Sequence, residues 1–180
     1  SISSCGKLTS AFLADTFRQM SAMHFHWARL SDFSAAQWHQ VIGAREAVFV
    51  VEQNCPYQDA DDLDACSWHL LGMNGTELAA YLRVVDPGRK SVHPGQYYAE
   101  PSIGRVLTAK AYRGRGFGLA LMREGIAGCD RLFPGQGIRI SAQSYLLAFY
   151  QSLGFETIGD EYLEDGIAHF EMLHTIDSVP

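Results

Sequence analysis

Apolar and polar positions begin to follow a regular pattern just after Met23. Over residues 24–30 they alternate, with Phe25, Trp27 and Arg29 on one side, as a half-buried strand requires. Ser31 and Asp32 suit a helix N-cap region. Trp38, Val41, Ile42, Arg45 and Phe49 then recur at helical spacing and predict an amphipathic helix over residues 34–52, stopped by Asn54, Cys55 and Pro56. An acidic loop with Asp59, Asp61, Asp62 and Asp64 follows and reads as solvated. Residues 68–73 and 77–85 form two strands around Asn74-Gly75, a strong hairpin signal. The Pro- and Gly-rich stretch 86–100 is an excursion at the end of the sheet.

Further along, residues 103–107 are a strand. Residues 116–129 are a helix with Leu119, Met122, Ile126 and Cys129 on one buried face. A short strand at 138–141, a short helix at 144–153 capped by Gly154, and strands at 156–158 and 168–173 complete the pattern. The order β-α-β-β-β-α-β-α-β-β predicts an α/β (α+β) fold, a mixed sheet with helices packed on it. Without internal repeats or a linker, residues 23–180 form one domain. Residues 1–22 stand outside it as an N-terminal extension, in which Phe12, Leu13 and Phe17 share the face of a short helix.

Composition narrows the function. The chain has 180 residues, 47% hydrophobic and 19% charged, an ordinary globular balance. A net charge of -6 argues against broad nucleic-acid binding, which needs a basic face. No apolar run approaches the roughly 20 residues that span a bilayer. Cys5, Cys55, Cys66 and Cys129 form no C-x-x-C pair, and the start of the chain does not look like a secretion signal; both suggest free thiols in a cytoplasmic protein. His24 and His26 share a strand side, but no third metal ligand is evident. Ser141 and Ser144 lack the G-x-S-x-G setting of a serine hydrolase.

The sharpest chemical signal is Arg113-Gly114-Arg115-Gly116-Phe117-Gly118, between a strand and a helix. Free N–H groups and the positive dipole end of a helix N-terminus bind anions, and glycines let that backbone approach a pyrophosphate. Arg113 and Arg115 can add charge-assisted hydrogen bonds. No Lys-Ser or Lys-Thr follows, which excludes a P-loop. The loop also comes too late in the element order for a Rossmann fingerprint.

This segment resembles the [QR]-x-x-G-x-[GA] motif of the GNAT (Gcn5-related) acetyltransferases, through Arg113, Gly116 and Gly118. Ala148-Phe149-Tyr150-Gln151-Ser152-Leu153-Gly154-Phe155 looks like the same family's A-x-Y-x-x-x-G-F segment. Residues 45–52 with Gln53, Pro56 and Tyr57, and Glu164-Asp165-Gly166-Ile167 with His169, look more narrowly like the bacterial ElaA subfamily. The resemblance implies the GNAT acyl-CoA N-acyltransferase fold, with a mostly antiparallel sheet splayed between its fourth and fifth strands. It implies transfer of an acetyl group from acetyl-CoA to a primary amine by direct attack, with no metal, and leaves room for a homodimer. The pantetheine arm would lie along the backbone of Val106, Leu107 and Thr108. Residues Gly114, Arg115, Gly116, Phe117, Gly118 and Leu119 would wrap the pyrophosphate, with Arg113 beside them. Gln143 stands where the family usually places an Asn against the cofactor. Tyr150 would hydrogen-bond the departing CoA sulfur.

A substrate ammonium must lose a proton before its nitrogen attacks. The strand that carries a Glu in many family members reads Ile138-Arg139-Ile140-Ser141 here. The base then comes from Glu52, His69, Glu100 or His169. The missing carboxylate also keeps open an alternative, a non-catalytic acyl-CoA-binding module with the same fold.

Overall fold

The computed structural model describes residues 23–175. The short helix expected around Phe12 to Phe17, and Cys5, lie outside the described residues. Seven strands share one sheet: β1 (Met23–Arg29), β2 (Ser67–Asn74), β3 (Glu77–Val85), β6 (Ser102–Thr108), β7 (Ile138–Gln143), β8 (Phe155–Glu164) and β9 (Ile167–His174). Their spatial order is β1-β2-β3-β6-β7-β9-β8. Only β6 and β7 run parallel, and a second helix bridges them as parallel strands require. The excursion after β3 contains two further strands, β4 (Ser91–His93) and β5 (Gln96–Tyr97), as a separate hairpin.

Helix α1 (Ala35–Arg45) covers one face of the sheet, and α2 (Phe117–Leu132) and α3 (Leu147–Gln151) cover the other. Neighbouring residues on β2 and β3 therefore enter different cores. Leu71 and Tyr81 pack with Val41 of α1, while Leu70 and Leu82 pack with Leu121 and Met122 of α2. Both faces being covered explains why β3 is apolar nearly throughout. Helix α2 lies unusually close to the sheet: a Cβ on Gly128 would sit 2.1 Å from Trp27 Cζ2.

Most expected elements are present, with instructive differences. Ser34 caps α1 through a reciprocal box with Gln37. The helix expected over residues 34–52 changes to π winding at Glu46–Glu52. The last two strands are much longer than expected and meet in a two-residue turn, Asp165-Gly166. Strand β8 is exposed on both faces and broken by Gly159 at φ +74°, so neither period shows in its residues.

The acidic loop is not solvated as expected. Asp59 and Asp64 are buried, and with Asp61 they meet three arginines. Arg45 bonds Asp59 Oδ2 at 2.6 Å and Asp64 Oδ1 at 2.7 Å, Arg83 bonds Asp61 and Asp64, and Arg105 contacts Asp59 Oδ1 at 2.7 Å. Composition alone hid this, because the cations come from α1, β3 and β6. Burial alone would raise the Asp59 carboxyl, but Arg105 and Arg45 hold it below the usual carboxylate range.

His69 sits fully buried beside this network. Its Nε2 lies 3.0 Å from the Asp64 carbonyl and its Nδ1 2.6 Å from the Tyr81 hydroxyl. A carbonyl only accepts, so Nε2 carries the hydrogen and Nδ1 accepts from Tyr81. Burial pushes this neutral ring down to about 4. The unfolded chain, with an ordinary histidine near 6.5, binds the extra proton first as pH falls. Stability contributed by His69 is thus complete above about pH 6.5 and lost as pH falls toward 4, to the order of 3 kcal/mol. Urea unfolding of wild type and His69→Gln at pH 7, 6 and 5 checks this. The variant should show a shallower fall with pH, and parallel curves would contradict the assignment.

Candidate active site

Strands β6 and β7 touch only at their starts, through Ser102 with Arg139 and Ile103 with Ile140. Beyond Ile103 they separate, and the edge of β6 that faces β7 has no strand partner. The parting begins at a bulge. The β3–β6 register slips between Tyr81 and Arg83, and Arg105 adopts φ +51°. A bulge bends its strand and increases its twist. A left-handed backbone at a non-glycine residue costs about 1–2 kcal/mol, and here the Arg105 guanidinium is tied to Asp59.

The opening is a cleft of about 690 Å³. Val106, Leu107, Thr108, Arg113, Gly118, Gln143 and Tyr150 line it, together with Glu52 and His169. Glu100 and His69 do not. Glu100 is bonded to Arg139 at 3.2 Å, and His69 is enclosed between sheet and α1. The structure also brings in residues that sequence reasoning missed: Phe49, Lys90, Ser141, Tyr145 and Glu164. Phe49 and Glu164 lie in segments that carry the subfamily resemblance, but nothing in those segments gives either a place in the cleft, and the five converge from separate parts of the chain.

The glycine loop meets the cleft through Arg113 and Gly118; Gly114, Arg115, Gly116 and Leu119 do not line it, and Phe117 is buried in the core. Gly114 and Gly116 have φ +73° and +78°, and Gly116 caps α2 in the left-handed conformation. The first helical bond runs from Ala120 N–H to Gly116 O, so the N–H groups of Phe117, Gly118 and Leu119 have no intrahelical partner. A Cβ on Gly114 would meet nothing within 4 Å, which leaves approach to that backbone open. Arg113 donates from Nε to the Thr108 carbonyl at 3.0 Å and forks onto both Glu52 oxygens at 2.7 and 3.0 Å. This pair keeps Glu52 ionised: Arg113 lowers its carboxyl below the ordinary range. Arg115 lies with its guanidinium 5.9 Å from the Tyr112 ring.

Across the cleft, Gln143 is 3.5 Å from Gln53, and Tyr150 is buried against Phe149 and Phe155. The Tyr150 hydroxyl has no hydrogen-bond partner among the described residues, and burial pushes it up to about 12. His169 donates from Nδ1 to the Ile167 carbonyl at 2.7 Å, which leaves Nε2 as the acceptor nitrogen, 3.9 Å from Glu164. Its ring stacks on Tyr162, which bonds Ser141 and Glu171. Among the described residues no group of three His, Cys, Asp or Glu is arranged to hold a metal ion, and no helix is long and apolar enough to cross a membrane.

Comparison with known proteins agrees with this geometry. Residues 74–176 match the family model described as an acetyltransferase (GNAT) domain. The chain is 41% identical over 155 residues to a UPF0039 protein of Synechocystis, covering 86% of this chain and 96% of that one. It is 39% identical over 149 residues to Protein ElaA of Escherichia coli, covering 81% and 92%. A crystal structure of an acyl-CoA N-acyltransferase from Pseudomonas aeruginosa superposes with a TM-score of 0.76 at 35% identity, covering 85% of this chain and 99% of that one.

The Tyr150 hydroxyl makes no hydrogen bond to the described residues, so its removal breaks no bond of the fold. Tyr150→Phe should therefore leave the urea midpoint unchanged or slightly raised, by less than about 1 kcal/mol in stability. A clear destabilisation would mean that the hydroxyl holds the fold together.

Proposed function

Since the chain belongs to the GNAT acetyltransferase family and is an acyltransferase, we propose that it moves an acetyl group from acetyl-CoA to a primary amine by direct attack. The observation that carries this reading is that Tyr150, whose hydroxyl makes no hydrogen bond to the described residues, lines the cleft where β6 and β7 part. Backbone of Val106 to Thr108 takes the amide-bearing pantetheine arm as a sheet edge takes a peptide. The loop from Gly114 to Leu119 takes the pyrophosphate on its free N–H groups. Phe49 and Phe149 line the cleft and offer apolar surface to an acetyl methyl.

In this reading the amine attacks the thioester carbonyl, the C–S bond breaks, and the sulfur leaves as thiolate. Tyr150 stabilises that sulfur by a hydrogen bond. Its raised pKa keeps it a donor at all working pH values, and full transfer to a thiolate near 8.5 would be uphill. The proton from the amine goes to His169 Nε2. Of the four base candidates, Glu52 is held by Arg113, Glu100 by Arg139, and both His69 nitrogens are bonded. Of the two that line the cleft, Glu52 is the weaker base, since Arg113 lowers its carboxyl, and His169 keeps an unbonded ring nitrogen.

Steady-state thiol release from acetyl-CoA over an amine panel tests the scheme. Tyr150→Phe should lower kcat and kcat/KM together by about 10²-fold with acetyl-CoA affinity nearly unchanged. His169→Gln should lower both by a similar factor. A folded Tyr150→Phe enzyme with wild-type kcat would remove the hydroxyl from the chemistry.

A further inference from the structure

The two ends of β6 have different company. Thr108, at its C-terminal end, leads into the glycine loop. Ser102, at the other end, pairs with Val85, where the chain leaves β3 for the excursion that carries Lys90. Seven residues of strand separate these ends by roughly 20 Å. Lys90 is thus far from the loop proposed to hold the CoA pyrophosphate, yet it lines the same cleft. The excursion is held in place: Tyr98 N–H bonds the Lys90 carbonyl at 3.0 Å, and Arg139 lies 4.7 Å from the Tyr98 ring centre.

The cations around Lys90 are already committed. Arg83 and Arg105 are paired to the buried aspartates, and Arg139 to Glu100. Among the described residues, the Lys90 ammonium has neither an ion pair nor a hydrogen bond. It is half-buried, and burial lowers its pKa against the pull of Glu171 and Glu164. A partly buried ammonium with no ion pair or hydrogen bond of its own is open to an incoming anion. On the same side of the cleft stand Glu164, Ser141 and His169, groups suited to an incoming amine rather than to an anion.

Resting on the acyltransferase reading above, we infer that the amine acceptor is zwitterionic, with its carboxylate bound to Lys90 and its amino group at Glu164 and His169. The match is one of charge. Lys90 offers a positive group and Glu164 a negative one in the same cleft, which the carboxylate and ammonium of a zwitterion answer in turn, whereas a phosphate dianion would be repelled by Glu164 and Glu171. The acceptor class is a small amino acid with a free carboxylate. Amines lacking the carboxylate would leave the contact to Lys90 unmade.

The test uses matched pairs: glycine, β-alanine and 4-aminobutanoate against their primary carboxamides. For each, thiol release from acetyl-CoA is measured with wild type and Lys90→Met, and binding to the CoA-saturated protein is measured by calorimetry. At least one acid should exceed its amide by about tenfold or more in kcat/KM or affinity, the worth of one charge-assisted contact. Lys90→Met should bring that acid down to the level of its amide. Equal wild-type use of acids and amides would overturn the inference while leaving acyl transfer intact. Acids that bind through Lys90 without turnover would support the inference and sink the acyltransfer reading. Absence of both binding and turnover would overturn it. So would a tenfold loss of acetyl-CoA affinity in Lys90→Met, or acetylation of Lys90 itself seen by intact mass, since either gives the lysine another role.

Discussion

The contact on which the rest of the molecule turns is the tie between Arg105 and Asp59. Arg105 occupies the one residue of β6 whose backbone is left-handed, at the bulge where the sheet opens. Without a partner for its guanidinium that conformation would carry its full strain. Asp59 is itself fixed by Arg45 from α1, and Asp64 links Arg45 to Arg83 of β3. Three arginines and three aspartates thus tie α1, the loop after it, and two strands into one charge-balanced unit. Buried ion pairs of this kind add little net stability, but breaking one partner is costly, so they define geometry more than they strengthen it. The geometry defined here is a sheet that comes apart at a chosen place.

The cleft has two unlike sides because the sheet has two unlike faces. On the α2–α3 side, alternate residues of β7 such as Ile140 and Ala142 enter the larger apolar core, and Tyr150 stands at its border. On the α1 side, Arg139, Ser141 and Gln143 of the same strand meet Leu173, Glu171 and His169 of β9. Period-two alternation thereby turns one face of β7 to the dry core, where α3 carries Tyr150, and the other to the polar side chains of β9. The π-wound turn at Glu46–Glu52 brings Val48, Phe49 and Glu52 to the rim between them. Glu52 then reaches Arg113 across the mouth, so the base of α1 and the glycine loop are joined by an exposed ion pair.

The fold was legible where local chemistry and tertiary role coincide. The hairpin marked by Asn74-Gly75 is present, with its turn one residue on at Gly75 and Thr76, and the start of α2 at the glycine loop and the order of the main elements follow from turn chemistry and period. The glycine loop and Tyr150 were legible because each sits in a contiguous motif. The candidate base was not, since Glu52, His69, Glu100 and His169 differ only in partners supplied by distant segments. His69, for example, loses both nitrogens to Asp64 and Tyr81, which no spacing announces. The acidic loop misled for the same reason: four aspartates in a row of polar residues look solvated until Arg45, Arg83 and Arg105 are placed beside them. Lys90 lay in a Pro- and Gly-rich excursion whose path over the sheet depends on β4 and β5, strands too short to carry a pattern.

If the unpaired edge of β6 receives the acyl-CoA arm, its backbone loses contact with water when the ligand binds. Amide hydrogen exchange, followed by mass spectrometry with and without saturating acetyl-CoA, addresses that edge directly. The account predicts slowed exchange in peptides covering Val106 to Thr108 and Gly114 to Leu119, with little change in β1 and β2. Protection confined to other segments, with β6 exchanging as in the free protein, would contradict it.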